Sequence, residues 1–146
     1  MANAPVTLTT QANITPGLSG NVVLGASLHF EVITSALFQL SVTAAAAAVT
    51  DTLNVYLQYN VDGTNWDDFV SFTQAKGNGG AQRFVGSWLQ QYAPTSPMHP
   101  LADASLPPGV NQGPIMSDSV RVKWVVVGGT ANFSFTVLGS FMRLTR

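Results

Sequence analysis

A chain of 146 residues is long enough to bury a core and short for two domains, so one domain spanning 1–146 is expected. Only 9% of the residues are charged, against about 25% in an average soluble domain, while 46% are hydrophobic and the formal net charge is −1. That balance argues against a nucleic-acid binder, which needs a basic stripe, and against a disordered chain; no apolar run is long enough for a membrane helix.

Residues 1–20, with Pro5 and Pro16 and few charges, read as an extended amino-terminal segment. They show no basic flank followed by an apolar stretch, so no secretory signal is expected. Val22–Leu24, Leu28–Thr34 and Leu37–Ala44 follow as strand candidates. For the alanines at 44–48 two readings stay open, a short helical turn or a tightly packed strand end.

The clearest element is a hairpin. Leu53, Val55, Leu57, Tyr59 and Val61 alternate with Asn54, Tyr56, Gln58 and Asn60, so the first set faces a core and the second a half-solvated surface. Asp62-Gly63 supplies the turn, and the return strand runs from about Trp66 to Thr73. Gly77 to Gly80 turns the chain again, into a strand over Gln82–Tyr92. Ser119–Val127 reads as a strand, Gly128-Gly129 turns the chain into Ala131–Leu138, and Phe141–Thr145 extends or follows that strand. Seven to nine short strands without helices between them imply an all-β fold, an antiparallel β-sandwich of jelly-roll-like form.

Residues 93–118 interrupt this pattern as a long proline-rich loop or arm. Six of the eight prolines fall there: Pro94, Pro97, Pro100, Pro107, Pro108 and Pro114. Proline cannot donate to a sheet ladder, so the segment is extended. Its apolar residues Met98, Leu101, Leu106, Val110, Ile115 and Met116 suit an arm lying on a neighbouring subunit, with Trp88 as a further partner contact. An arm folded on its own sandwich is the alternative.

The sequence offers little chemistry. There is no cysteine, so disulfides and thiolate ligands are absent. Asp62, Asp67 and Asp68 lack the spacing of a calcium loop; Asp67 and Asp68 are adjacent, point to opposite faces and are expected to be solvated. His29 and His99 lie far apart, and only Glu31 sits at a spacing that shares a strand face with His29. No catalytic residue, metal or cofactor is therefore expected. Gly77 to Gly80 is followed by neither Lys-Ser nor Lys-Thr, so it is no phosphate loop. Among the tryptophans, Trp124 reads as core, Trp66 as a cover for the hairpin turn, and Trp88 as the best exposed ring for sugar stacking. That ring motivates a second reading, a carbohydrate-binding module for host attachment. A small hydrolase, a third, needs a carboxylate converging on His29 or His99.

Tyr59 to Asp67 looks like a degenerate Asp-box hairpin. The larger blocks DTLNVYLQYNVDGTNWDDFVSFTQ, GNGGAQRFV and SVRVKWVVVGGTANFSFTV, about half of the chain over 51–86 and 117–138, resemble small β-sandwich structural proteins encoded among the virion genes of tailed bacteriophages. The resemblance implies a non-enzymatic capsid decoration (cement) protein, or another minor virion component of the tail or connector. It implies assembly in a bacterial cytoplasm, residence in the virion, and the major capsid protein or other virion subunits as partners. A homo-oligomer with no nucleic-acid or membrane partner is expected. The sparse charge fits, because a surface poor in both signs suits contact with protein better than free solvation.

Overall fold

The computed structural model describes residues 4–15, 17–24, 28–29, 32–44, 48–89, 99–112, 117 and 119–143. Nine strands occur among them: β1 (Val6–Ile14), β2 (Gly20–Val23), β3 (Ile33–Ala44), β4 (Thr52–Asn60), β5 (Trp66–Ser71), β6 (Ala75–Lys76), β7 (Ala81–Leu89), β8 (Val120–Val127) and β9 (Phe133–Arg143). They form two antiparallel sheets, one in the order β1-β9-β3-β7 and one in the order β2-β8-β4-β5, with the short β6 continuing the β5 edge of β4. The antiparallel pairs β1·β9, β2·β8, β3·β7 and β4·β5 are successive rungs of one ribbon wound over on itself. That winding is a jelly roll.

Alternation along the strands builds the core. Phe38, Leu40 and Val42 of β3 and Phe133, Phe135, Val137 and Phe141 of β9 face Leu53, Val55 and Leu57 of β4 and Val120, Val122 and Trp124 of β8. Phe38 meets Phe69 and Phe141 edge-on at 6.1 and 5.9 Å between ring centres, the geometry that opposed ring quadrupoles favour. Trp124 is buried, as its sequence context predicts, and its indole N–H donates to the Leu18 carbonyl at 2.9 Å. Buried Asp51 accepts from the Gly129 amide and the Thr130 hydroxyl, fixing the β8–β9 turn to the start of β4.

The hairpin falls where the sequence places it. Asp62 accepts from the amides of Thr64 and Asn65 and from the Asn65 side chain, while Gly63 takes φ +90, a conformation that a side chain would strain. Three expectations need correction. The amino-terminal segment is no free extension: residues 6–14 form β1 inside the first sheet. Register shifts between Thr7 and Thr9 and between Gln11 and Ile14 put both Leu8 and Thr9 inward, which blurs the period-two signal. The span Leu28–Thr34 is not one strand: His29 has φ 48, the Val32 amide donates back to its carbonyl, and β3 then runs unbroken from Ile33. The second face of β4 is half-solvated only at its ends, Asn54 and Asn60, since Tyr56 and Gln58 between them are buried. Ala44 ends β3, whereas 45–47 lie outside the described residues.

Candidate functional site

What covers the second face of β4 is the proline-rich segment. Residues 99–112 wrap the outer edge of β5, and two adjacent carboxylates hold them there. Strand geometry sends Asp67 and Asp68 to opposite faces of β5, so between them they grip the segment from both sides. Asp68, fully buried, accepts from the backbone amides of Ala104, Ser105 and Leu106 at 3.1, 2.9 and 2.9 Å and from the Gln58 side-chain amide at 2.6 Å. Asp67 accepts from the Tyr59 hydroxyl at 3.0 Å and the Ala102 amide at 2.8 Å, and its Oδ2 lies 2.7 Å from His99 Nε2. Both were expected in solvent; burial here is tolerable because donors surround each carboxylate.

Backbone pairing completes the wrap. The Asp68 amide donates to Ala102, the Ser71 amide to Val110, the Gly109 amide to Ser71 and the Gln112 amide to Phe69, so the edge of β5 that would otherwise invite strand addition is closed. Side chains then tie the segment across to the other sheet. The Trp88 indole N–H donates to the Gln112 carbonyl at 3.2 Å, and the Asn111 amide group donates to the Ser87 carbonyl.

Over the outer face of the second sheet, Asp103 accepts from Lys123 Nζ at 2.7 Å and from Gln58 at 2.8 Å, with Arg121 Nη2 at 3.4 Å. Partial burial alone raises the Asp103 pKa, but the Lys123 and Gln58 hydrogen bonds and the Lys123 and Arg121 charges outweigh it and hold this carboxyl below its usual range. The Arg121 guanidinium also sits 4.2 Å above the Trp66 ring. Burial, the hydrogen bond to Asp67 and the Asp67 charge together push the Tyr59 hydroxyl up to about 12.

No family model, curated protein or solved structure matches this chain. The residues themselves must carry the reading.

Of the side chains singled out for partner contact, Leu106 and Trp88 are buried in their own chain, at 8% and 2% exposure. Neither is offered to a partner, which corrects the expectation for both. Leu101 and Val110 remain exposed, while Met98, Ile115 and Met116 lie outside the described residues. Over 99–112, then, the segment lies on its own sandwich, the alternative that composition left open. The three tryptophans also fail as a sugar platform: Trp88 and Trp124 are buried and Trp66 lies under Arg121. A carboxylate does converge on a histidine, the Asp67–His99 contact. However, Asp67 is already shared with Tyr59 and Ala102, and among the described residues no serine or threonine hydroxyl is bonded to His99. The pair anchors the segment.

The other notable surface is the outer face of the sheet β1-β9-β3-β7. Leu37, Val85, Leu89 and Met142 stand exposed on it at 49, 63, 55 and 68%, among Ser35, Gln39, Ser41, Ser87 and Ser140. Among the described residues Arg83 is the one charge this face projects. Periodicity marks these positions as outward, but it does not single them out as a cluster, because their neighbours come from strands remote in sequence.

Proposed function

We propose that this chain is a non-enzymatic structural protein of a tailed-phage virion, a capsid decoration protein that bridges capsid subunits from outside and resists internal pressure mechanically. The observation that carries this reading is where the charges go. Asp51, Asp67 and Asp68 are buried, and Asp103 pairs with both Arg121 and Lys123 over the second sheet. Among the described residues the outer face of the opposite sheet is nearly uncharged and studded with apolar side chains. A free monomer gains solubility from dispersed charge; a surface without it suits permanent contact with protein. The jelly roll adds support by analogy of fold alone, since the same architecture hosts capsid and lectin domains. The clamped segment 99–112 closes the β5 edge to strand addition.

The test is to add the purified protein to particles assembled without it and to follow co-sedimentation. Saturable binding supports the reading, and no binding under any salt condition overturns it. A tail or connector role differs in stoichiometry. A shell offers on the order of hundreds of equivalent positions, against roughly a dozen at a ring-like connector.

A further inference from the structure

We infer that the outer face of β7-β3-β9 is a two-fold contact between copies of this chain, with the strands of the two copies running antiparallel about an axis that crosses β3 at Ala36. This deepens the assembly reading, and rests on it only in taking the face to be protein-facing. The register supplies the argument. Ser35 lies between Leu89 of β7 and Met142 of β9, and Leu37 lies between Ser87 and Ser140. One row is therefore apolar, small, apolar; the next is small, apolar, small.

Rotation about an axis parallel to these rows, at the level of Ala36, lays the Leu37 row of one copy over the Ser35 row of the other. Leu37 then faces Ser35, Ser87 faces Leu89, and Ser140 faces Met142. Within these two rows each protruding apolar side chain meets a serine, and the same fit repeats on the symmetry-related row; Val85 and Leu138, three positions from the axis, lie outside it. Self-complementarity of this kind is what an isologous contact requires. Packed sheets keep their strands within about 30° of one another, which this arrangement allows.

Charge permits the contact as well. Arg83 pairs with Ser41, five positions along β3 from Ala36. The two copies of Arg83 therefore sit about 33 Å apart along the strands, at about 3.3 Å per residue. That separation exceeds the Debye length of about 10 Å at 0.1 M salt, so like-charge repulsion is screened. Among the described residues the overlap covers roughly fifteen positions on β7, β3 and β9, a projected area of about 240 Å² per copy. Twice that is below the roughly 1,200 Å² of a standard stable interface, so the dimer is weak in dilute solution and populated when copies are concentrated.

The experiment is sedimentation equilibrium of the intact protein from micromolar to roughly millimolar concentration, with Leu37→Lys and, on the opposite sheet, Val127→Lys as comparison. Both side chains are exposed, so the thermal midpoints of the variants report that the fold is intact. Wild type and V127K should dimerise with rising concentration, and L37K should stay monomeric, its dimer affinity reduced at least tenfold. Because the chain has no cysteine, Arg83→Cys accepts a single spin label. With sheets about 10 Å apart, the two labelled backbone positions lie about 35 Å from each other, whereas a parallel two-fold brings them within about 20 Å. A wild type that stays monomeric at the highest concentration, an L37K dimer of unchanged affinity, or a label separation within 20 Å overturns the inference. A monomer that still binds particles ends this inference and leaves the assembly reading standing; a dimer that binds no particle does the reverse.

Discussion

Replacing Asp68 by asparagine removes one acceptor oxygen from the most heavily used side chain in the structure. Oδ2 of Asp68 accepts from Ser105 and Leu106, and Oδ1 from Ala104 and Gln58. An asparagine matches one pair and presents its own N–H groups to the other, so either the Ser105 and Leu106 amides or the Ala104 amide and the Gln58 side-chain amide lose their acceptor. A buried donor left unsatisfied costs about 1–3 kcal/mol, which puts the substitution at roughly 2–6 kcal/mol. The loss has a ceiling, because residues 99–112 can lift from the edge of β5 and find water while the core of Phe38, Phe69 and Phe133 stays packed. The expected signature is therefore local. In native-state hydrogen exchange of D68N, the amides of Ala102, Ala104, Leu106, Gly109 and Gln112 lose protection by at least tenfold, while those of β3, β8 and β9 keep theirs. If the segment's amides stay protected, or if the whole sandwich loses protection together, the carboxylate does not act as the clamp described.

Gly128→Ala places a Cβ 1.9 Å from Asp51 Oδ1 at φ +123, so overpacking and backbone strain together should lower stability by about 2–4 kcal/mol in thermal denaturation. Gly86→Ala meets nothing within 4 Å on β7 and should change stability by less than about 1 kcal/mol, of either sign. Tyr59 carries a folded-state pKa raised to about 12, so the stability it contributes is complete below the unfolded value near 10 and is lost as pH rises through 12. Tyrosinate absorbance should show a tyrosine that ionises well above pH 10, and a single transition near 10 for every tyrosine would contradict the hydrogen bond to Asp67. Asp103 titrates in the opposite sense: its pKa is depressed, so its contribution is present above the unfolded carboxylate value and disappears as pH falls through the folded one. In an acid titration Lys123→Met should reduce that contribution, leaving the part due to Gln58 and Arg121. Binding to particles should fall little between low and high salt, because the face proposed to carry assembly projects one charge among the described residues.

Strand content and the hairpin were legible because alternation and an Asp-Gly turn are local signals, and β4, β5, β8 and β9 run close to where periodicity puts them. β1 was not, because its bulges bring Leu8 and Thr9 inward together and its threonines look solvated. Asp67 and Asp68 misled for a different reason. An acidic pair on a strand reads as surface unless something is known to cover it, and the covering donors are backbone amides more than thirty positions away. Backbone donors leave no trace in residue type. The proline-rich segment was recognised as extended and apolar, but whether it lies on its own domain or a neighbour's depends on that same pairing. The cluster of Leu37, Val85, Leu89 and Met142 depends on the β3·β7 and β3·β9 registers, which join residues up to about a hundred positions apart.

The account's central claim, a structural protein held on a virion through uncharged protein-facing surfaces, is tested most directly by counting this chain in purified particles by quantitative mass spectrometry and locating it by electron microscopy. The account expects copies on the order of the number of capsid subunits, on the outer surface of the head, as closed symmetric assemblies imply. Particles that contain none of it, from a host in which it is abundantly made, would contradict the claim.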